Sequence, residues 1–122
     1  MEYHNKALEI RMKNLGLEHP DIAASYNNIG EVYHHQGDYN KALEYYNKSL
    51  VIQEKVLGLN HPDVATLYFL IGSIYNDQDN YEKALEYCNK ALKIFEKVLG
   101  REHRQTKELI QIITNIEKQL QQ

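Results

Sequence analysis

The chain has 122 residues, enough for one domain that buries a real core. Its 14 Lys+Arg stand against 17 Asp+Glu, a net charge of −3, which argues against nucleic acid or an anionic membrane as the main partner, because both select a basic surface. The longest charge-free apolar stretch, "VATLYFLIGSIY", has 12 residues and is too short to span a bilayer, and "MEYHNKALEI" has no apolar core of the kind a secretory signal needs.

In chain order, apolar spacing predicts five helices over roughly 1–15, 20–36, 39–57, 62–78 and 81–99, and a sixth, weaker one at about 104–120. Over 20–36, Ile22, Tyr26, Ile29, Gly30 and Tyr33 form one stripe. Gly37 ends that helix, because glycine tolerates the left-handed conformation past a helix C-terminus. Over 39–57 the stripe is Ala42, Leu43, Tyr46, Ser49, Leu50 and Val56-Leu57, and Gly58 ends it. Gly16 and Gly100 close the related helices. Asp79 stands where the first copy has Gly37, and aspartate tolerates that conformation less well.

These copies follow a fixed period. Residues 17–58 overlay residues 59–100 without a gap, and 25 of 42 positions are identical. Residues 1–16 match 43–58 at nine of 16 positions. Residues 101–122 keep the register only at His103, Leu109, Ile113 and Ile116. The organisation is therefore a partial repeat over 1–16 (second helix only), repeats over 17–58 and 59–100, and a partial repeat over 101–122 (first helix only). A period between about 20 and 50 residues signals a solenoid and not a closed globule.

The tripeptide His-Pro-Asp occurs in both "LGLEHPDIA" and "LGLNHPDVA". A J domain would carry one such tripeptide, not one per repeat. Here it falls just after a terminating Gly, where the next helix must begin. Pro20 and Pro62 suit the first helical position, Asp21 and Asp63 suit the positive end of the helix dipole, and His19 and His61 sit at or just before the N-cap. The third copy, "REHRQTK", loses Pro and Asp while a helical pattern still follows. Ten Tyr, two Phe and no Trp point to a recurring structural role for tyrosine.

The stretches "YNNIGEVYHHQGDYNKALEYYNKSL" and "YFLIGSIYNDQDNYEKALEYCNKAL" resemble tetratricopeptide repeats. That family places an aromatic, Leu-Gly and Tyr on the first helix of each pair, and Ala, an aromatic and Ala on the second. The matches are Tyr26, Ile29-Gly30, Tyr33, Ala42, Tyr46 and Ser49, then Tyr68, Ile71-Gly72, Tyr75, Ala84, Cys88 and Ala91. The 42-residue period with "LGxxHPDxA" between units is similar to the kinesin light chain type. In the tail, Ile110, Thr114 and Glu117 replace the aromatic, the Gly and the Tyr. The resemblance implies an all-α, right-handed superhelical solenoid of antiparallel helix pairs. Gly30 and Gly72 would let the second helix approach at Ala42 and Ala84, and each pair needs its neighbours to cover its apolar surface.

The same resemblance implies non-catalytic binding of a protein or peptide segment on a concave groove lined by the first helices. The groove residues are then Asn27, Asn28, Glu31, His34 and His35 in one repeat, Phe69, Leu70, Ser73 and Asn76 in the next, and Gln111 and Asn115 on the last helix. Ala24, Thr66, Asp77, Glu108, Lys118 and Gln119 adjoin them, and Ile112 lies at the edge. Phe69 and Leu70 form an apolar spot, or pack on the last helix, where the first repeat has Asn27 and Asn28. Asn and Gln amides both donate and accept, which suits a peptide backbone. The first two units put no Lys or Arg on this face, so the Lys–Asn clamp by which some such repeats hold a terminal carboxylate is missing. Acidic peptides of the sort kinesin light chains take are disfavoured.

No catalytic, cofactor or metal site is expected. There is no Gly-rich phosphate loop, HExxH or GxSxG. Cys88 occupies a buried-aromatic position without an activating cation, and the adjacent His34 and His35 diverge by about 100° around a helix. One unpaired Cys fits a reducing, cytoplasmic setting. The terminal half-repeats complement each other, which raises an alternative: a spacer or scaffold that self-associates head to tail. Tyr3, Ala7, Leu8 and Ile10 of one copy would meet Leu109, Ile112, Ile113 and Ile116 of the next.

Overall fold

The computed structural model of the chain describes residues 20–121. Every element among them is an α-helix: α1 (Pro20–His35), α2 (Tyr39–Leu57), α3 (Pro62–Asp77), α4 (Tyr81–Val98) and α5 (Arg104–Leu120). The expected bounds hold to within one residue at each end. The helix expected over about 1–15, and with it Tyr3, Ala7, Leu8 and Ile10, lies outside the described residues.

Side-chain caps set the helix starts. Asp38 accepts a hydrogen bond from the Lys41 amide at 3.3 Å and opens α2. Asn80 accepts from the Lys83 amide at 3.4 Å and opens α4. His61 caps α3: its Nδ1 accepts from the Asp63 amide at 3.0 Å, with Pro62 behind it at the first helical position. His103 does the same for α5, accepting from the Gln105 amide at 3.2 Å. The degenerate third copy has therefore kept the one residue of the tripeptide whose side chain makes the cap.

The chain divides into two compact units, Met1–Gly58 and Leu59–Gln122. In the first, α1 packs against α2, joined by a turn at Gly37 (φ 80°). In the second, α4 packs against both α3 and α5. The turns joining α1 to α2 and α3 to α4 are short, so each pair is antiparallel. Asp79 takes the place of Gly37 and adopts the same left-handed backbone, φ 62°. Its carboxylate accepts from the Tyr81 hydroxyl at 3.0 Å.

Close packing explains the small residues. A Cβ on Gly72 would lie 2.8 Å from Cys88 Sγ and 3.1 Å from the Ala84 carbonyl oxygen. A Cβ on Gly30 would lie 2.8 Å from the ring of Tyr46, itself fully buried. The close approach at Ala42 and Ala84 is as expected, and the side chain four residues further on completes it. Ser49, at a small-residue position, donates to the Ala23 carbonyl at 2.9 Å across α1 and α2.

The tyrosines repeat as a unit. Tyr45 stacks on Tyr33 at 5.7 Å and tilts against Tyr26 at 6.0 Å, with Lys48 Nζ 5.0 Å from the Tyr45 ring. Forty-two residues on, Tyr87 stacks on Tyr75 at 5.6 Å and tilts against Tyr68 at 6.2 Å, with Lys90 Nζ 5.0 Å from the Tyr87 ring. Each cluster ties the two helices of a pair together and lays an ammonium on an aromatic face. That is the recurring role the composition indicated.

The tail is better packed than its eroded pattern predicts. Over α5 the residues Thr106, Leu109, Ile113 and Ile116 are buried at three- and four-residue spacing. Thr114, which replaces the packing Gly, donates to the Ile110 carbonyl at 2.9 Å and so turns back onto its own helix.

Candidate functional site

Within the second unit, α3 and α5 lie on the same partner helix, and a cleft of about 200 Å³ opens between them. Phe69 of α3 and Leu109 and Ile112 of α5 form its walls, and the buried Phe95 of α4 its floor. The exposed Thr66, Gln105 and Glu108 surround the opening. A second cleft, of about 280 Å³, continues from it. Ile112 is shared, and Asn76, Asn115, Ile116 and Gln119 line the remainder. Glu108 is the single ionisable side chain lining either cleft. Arg104 Nε donates to its Oε1 at 3.0 Å on the exposed side. Gln111 donates to Asn115 Oδ1 at 3.2 Å.

Three expected groove residues, Phe69, Asn76 and Asn115, thus come together along one surface. Gln111 touches it through Asn115 only. Leu70 and Ser73 are half-buried on α3 and line neither cleft. Phe95 and Gln105 are additions that periodicity did not single out. A signal existed for Phe95. The 42-residue overlay sets Phe69 and Phe95 against Asn27 and Gln53, an exchange of two amides for two rings at paired positions.

The first unit places Asn27, Asn28, Glu31, His34 and His35 on α1. Asn28 and Glu31 are exposed, and the exposed His35 Nε2 lies 3.7 Å from Glu31 Oε1. Asn27 Oδ1 and Gln53 Oε1 are both buried and have no hydrogen-bond partner. The ring of His34 packs edge-on against Tyr39 at 5.9 Å and Tyr46 at 6.4 Å, so α2 holds it in place.

Cys88 is fully buried, and burial pushes its thiol up to about 11, which leaves it protonated and inert at neutral pH. Among the described residues no three His, Cys, Asp or Glu side chains gather as a metal site. No described helix is long and apolar enough to cross a membrane.

A tetratricopeptide repeat model matches residues 2–55, 21–97 and 63–111, which together span nearly the whole chain. The chain belongs to the tetratricopeptide repeat family. Its repeats build a protein-interaction or scaffold module. Solved structures agree on the fold. The chain is similar to BtubC (BKLC) from P. vanneervenii, with 22% identity and a TM-score of 0.82 over 95% of this chain and 46% of that one. It is also similar to the nearly identical TPR-like repeats of a putative kinesin light chain from Podosopora anserina, with 23% identity and a TM-score of 0.81 over 94% of this chain and 55% of that one. The fold is an all-α helical-repeat solenoid. The chain spans about half the length of these structures. No curated protein matches it at a significant level.

Proposed function

We propose that this tetratricopeptide repeat chain is a non-catalytic receptor for a peptide or protein segment, held in the second unit by the exposed faces of the first-type helices α3 and α5. One observation carries the reading: the paired clefts between α3 and α5, apolar at Phe69 and amide-lined at Asn76, Asn115 and Gln119. Concave, mostly apolar surfaces with a few convergent polar groups are the usual form of binding sites. The reading places the module in a reducing compartment such as the cytoplasm, where a thiol like Cys88 stays free.

The head-to-tail scaffold is the second reading. Of the four α5 residues assigned to that contact, Leu109, Ile113 and Ile116 are already buried within the second unit, and Ile112 alone remains half-exposed. The outward positions Lys107, Gln111, Glu117 and Lys118 are polar, which does not favour an apolar contact there.

Selection of binders from a random phage-displayed peptide library, followed by amide chemical-shift mapping on the full chain, tests the proposal. The expected shifts fall on α3 and α5. Shifts confined to the outer faces of α2 and α4 would overturn it, as would a library that yields no binder.

A further inference from the structure

We propose that the exposed side of α4 is a second docking surface, separate from the α3–α5 clefts, and that it takes an acidic protein segment on a line of lysines: Lys83, Lys90 and Lys97, with Lys93 beside them.

Helix geometry sets the line. Lys83, Lys90 and Lys97 recur every seven residues, so they stand above one another along α4 over about 21 Å. All four lysines are exposed. Lys90 and Lys93 leave the helix about 140° and 160° around from Phe95, which floors the apolar cleft, so the two surfaces are distinct. A hollow of about 430 Å³ lies along this side, lined by Glu86, Asn89, Lys90, Leu92, Lys93 and Glu96.

The way these lysines are held sets them apart. Arg101, Arg104 and Lys107 of the second unit pair with carboxylates, at 3.2 Å from Glu96, 3.0 Å from Glu108 and 3.0 Å from Glu102. No carboxylate among the described residues pairs with a lysine of α4. Glu86 stands four residues before Lys90, the spacing that best supports an ion pair on a helix. Lys90 Nζ lies instead 5.0 Å from the Tyr87 ring and 5.6 Å from the Tyr68 ring. Lys83 Nζ lies 5.4 Å from the Tyr75 ring. A ring steadies an ammonium without neutralising it, so its N–H donors remain available to a carboxylate. Much of the side-chain ordering that binding requires is already in place.

Charge selects the occupant. Helices α1 and α3 carry Asp21, Glu31, Asp63 and Asp77 and no Lys or Arg, and the chain as a whole has a net charge of −3. The positive potential is therefore local, and an acidic segment is drawn to α4 and repelled by α1 and α3. Glu82 and Glu86 stand among the lysines, while Glu96 is paired with Arg101. A nucleic acid carries a charge at every step and must set one against those carboxylates. A protein segment can place an uncharged residue there, and the half-buried Leu92 offers it an apolar contact. The first repeat has a poorer version on α2: Lys41, Lys48 and Lys55 repeat the line, and Val51 takes the place of Lys93.

The probe is a twelve-residue peptide of alternating Glu and Ser, acetylated and amidated, titrated against the full chain at about 0.15 M salt. A Gln-for-Glu peptide, a single-stranded oligonucleotide of equal charge and phosphatidylserine vesicles are compared with it. Expected is saturable binding of the Glu peptide alone, with amide shifts on the exposed side of α4. Lys90→Gln with Lys93→Gln weakens it about fivefold, and Lys107→Gln with Lys118→Gln leaves it intact. Lys93→Gln with Lys97→Gln, which disturbs no tyrosine contact, reads the same surface should loss of Lys90 lower the melting temperature. Shifts on α3 and α5 instead, or an equal loss in the Lys107 and Lys118 variant, would overturn the surface. Absence of binding by the Glu peptide would do the same. Tighter binding of the oligonucleotide or the vesicles would overturn an acidic protein segment as the occupant.

Discussion

At the scale of single residues, the core is decided by contacts of a few tenths of an ångström. Gly72 has room for a hydrogen and nothing more, because Cys88 Sγ and the Ala84 carbonyl sit where a Cβ would go. Gly72→Leu should leave the chain unfolded or nearly so, and Gly72→Ala should cost about 1–3 kcal/mol by overpacking. Cys88→Ala removes the nearest atom, so the double variant should lose less than the sum of the two singles in urea denaturation. Strict additivity would mean that the two residues do not meet. Thr106 is the opposite case. It is fully buried, and its hydroxyl has no hydrogen-bond partner. The two full repeats carry Ile22 and Val64 at this position. Thr106→Val should therefore stabilise the chain by about 1–3 kcal/mol. A midpoint that stays put or falls would show the hydroxyl to be satisfied.

At the scale of elements, helix ends hold more of the information than helix middles. His61 and His103 each accept an amide proton at a helix start, although only His61 is followed by Pro and Asp. His103→Ala should cost about 1 kcal/mol and fray α5, while His103→Asn should retain most of the stability. Amide hydrogen exchange in the first turn of α5 measures this. Equal protection in both variants would remove the cap from the account. The turn after α3 carries the opposite sign. Asp79 pays a left-handed backbone cost that Gly37 avoids in the first repeat. Asp79→Gly should raise the thermal midpoint, with up to about 1 kcal/mol gained. A lower midpoint would mean that the hydrogen bond from Tyr81 outweighs the strain.

At the scale of the whole molecule, the tyrosine-rich design makes alkaline pH the weak side. Burial pushes Cys88 up to about 11 and Tyr46 to about 12, and raises Tyr26, Tyr45 and Tyr87 as well. The folded chain therefore holds protons that the unfolded chain releases first. Stability is fully present below the usual thiol value near 9 and falls as pH rises through the window up to about 12. Urea midpoints measured from pH 8 to 11 should decline above about 9, and Tyr46→Phe should flatten the decline. A midpoint unchanged at pH 11 would refute the linkage.

The sequence by itself determined the period, the helices and their punctuation. Those features are local: an apolar stripe recurs every three or four residues, and a cap acts within one turn, so both are legible without a fold. It also marked Phe69, Asn76 and Asn115 as belonging to one kind of face. The tertiary structure alone decided which of these residues share a cleft. Phe95 reaches the floor from α4, Ile112 joins two clefts from α5, and Leu70 and Ser73 are left aside although they neighbour Phe69 and Asn76 on the same helix. The ring of His34 packs edge-on against tyrosines of α2, and an eroded last helix packed because its four inward positions stayed compact. Periodicity fixes which side of a helix is buried. The distance between two helices that share a third depends on the volumes of side chains dozens of residues apart, and no local pattern carries that sum.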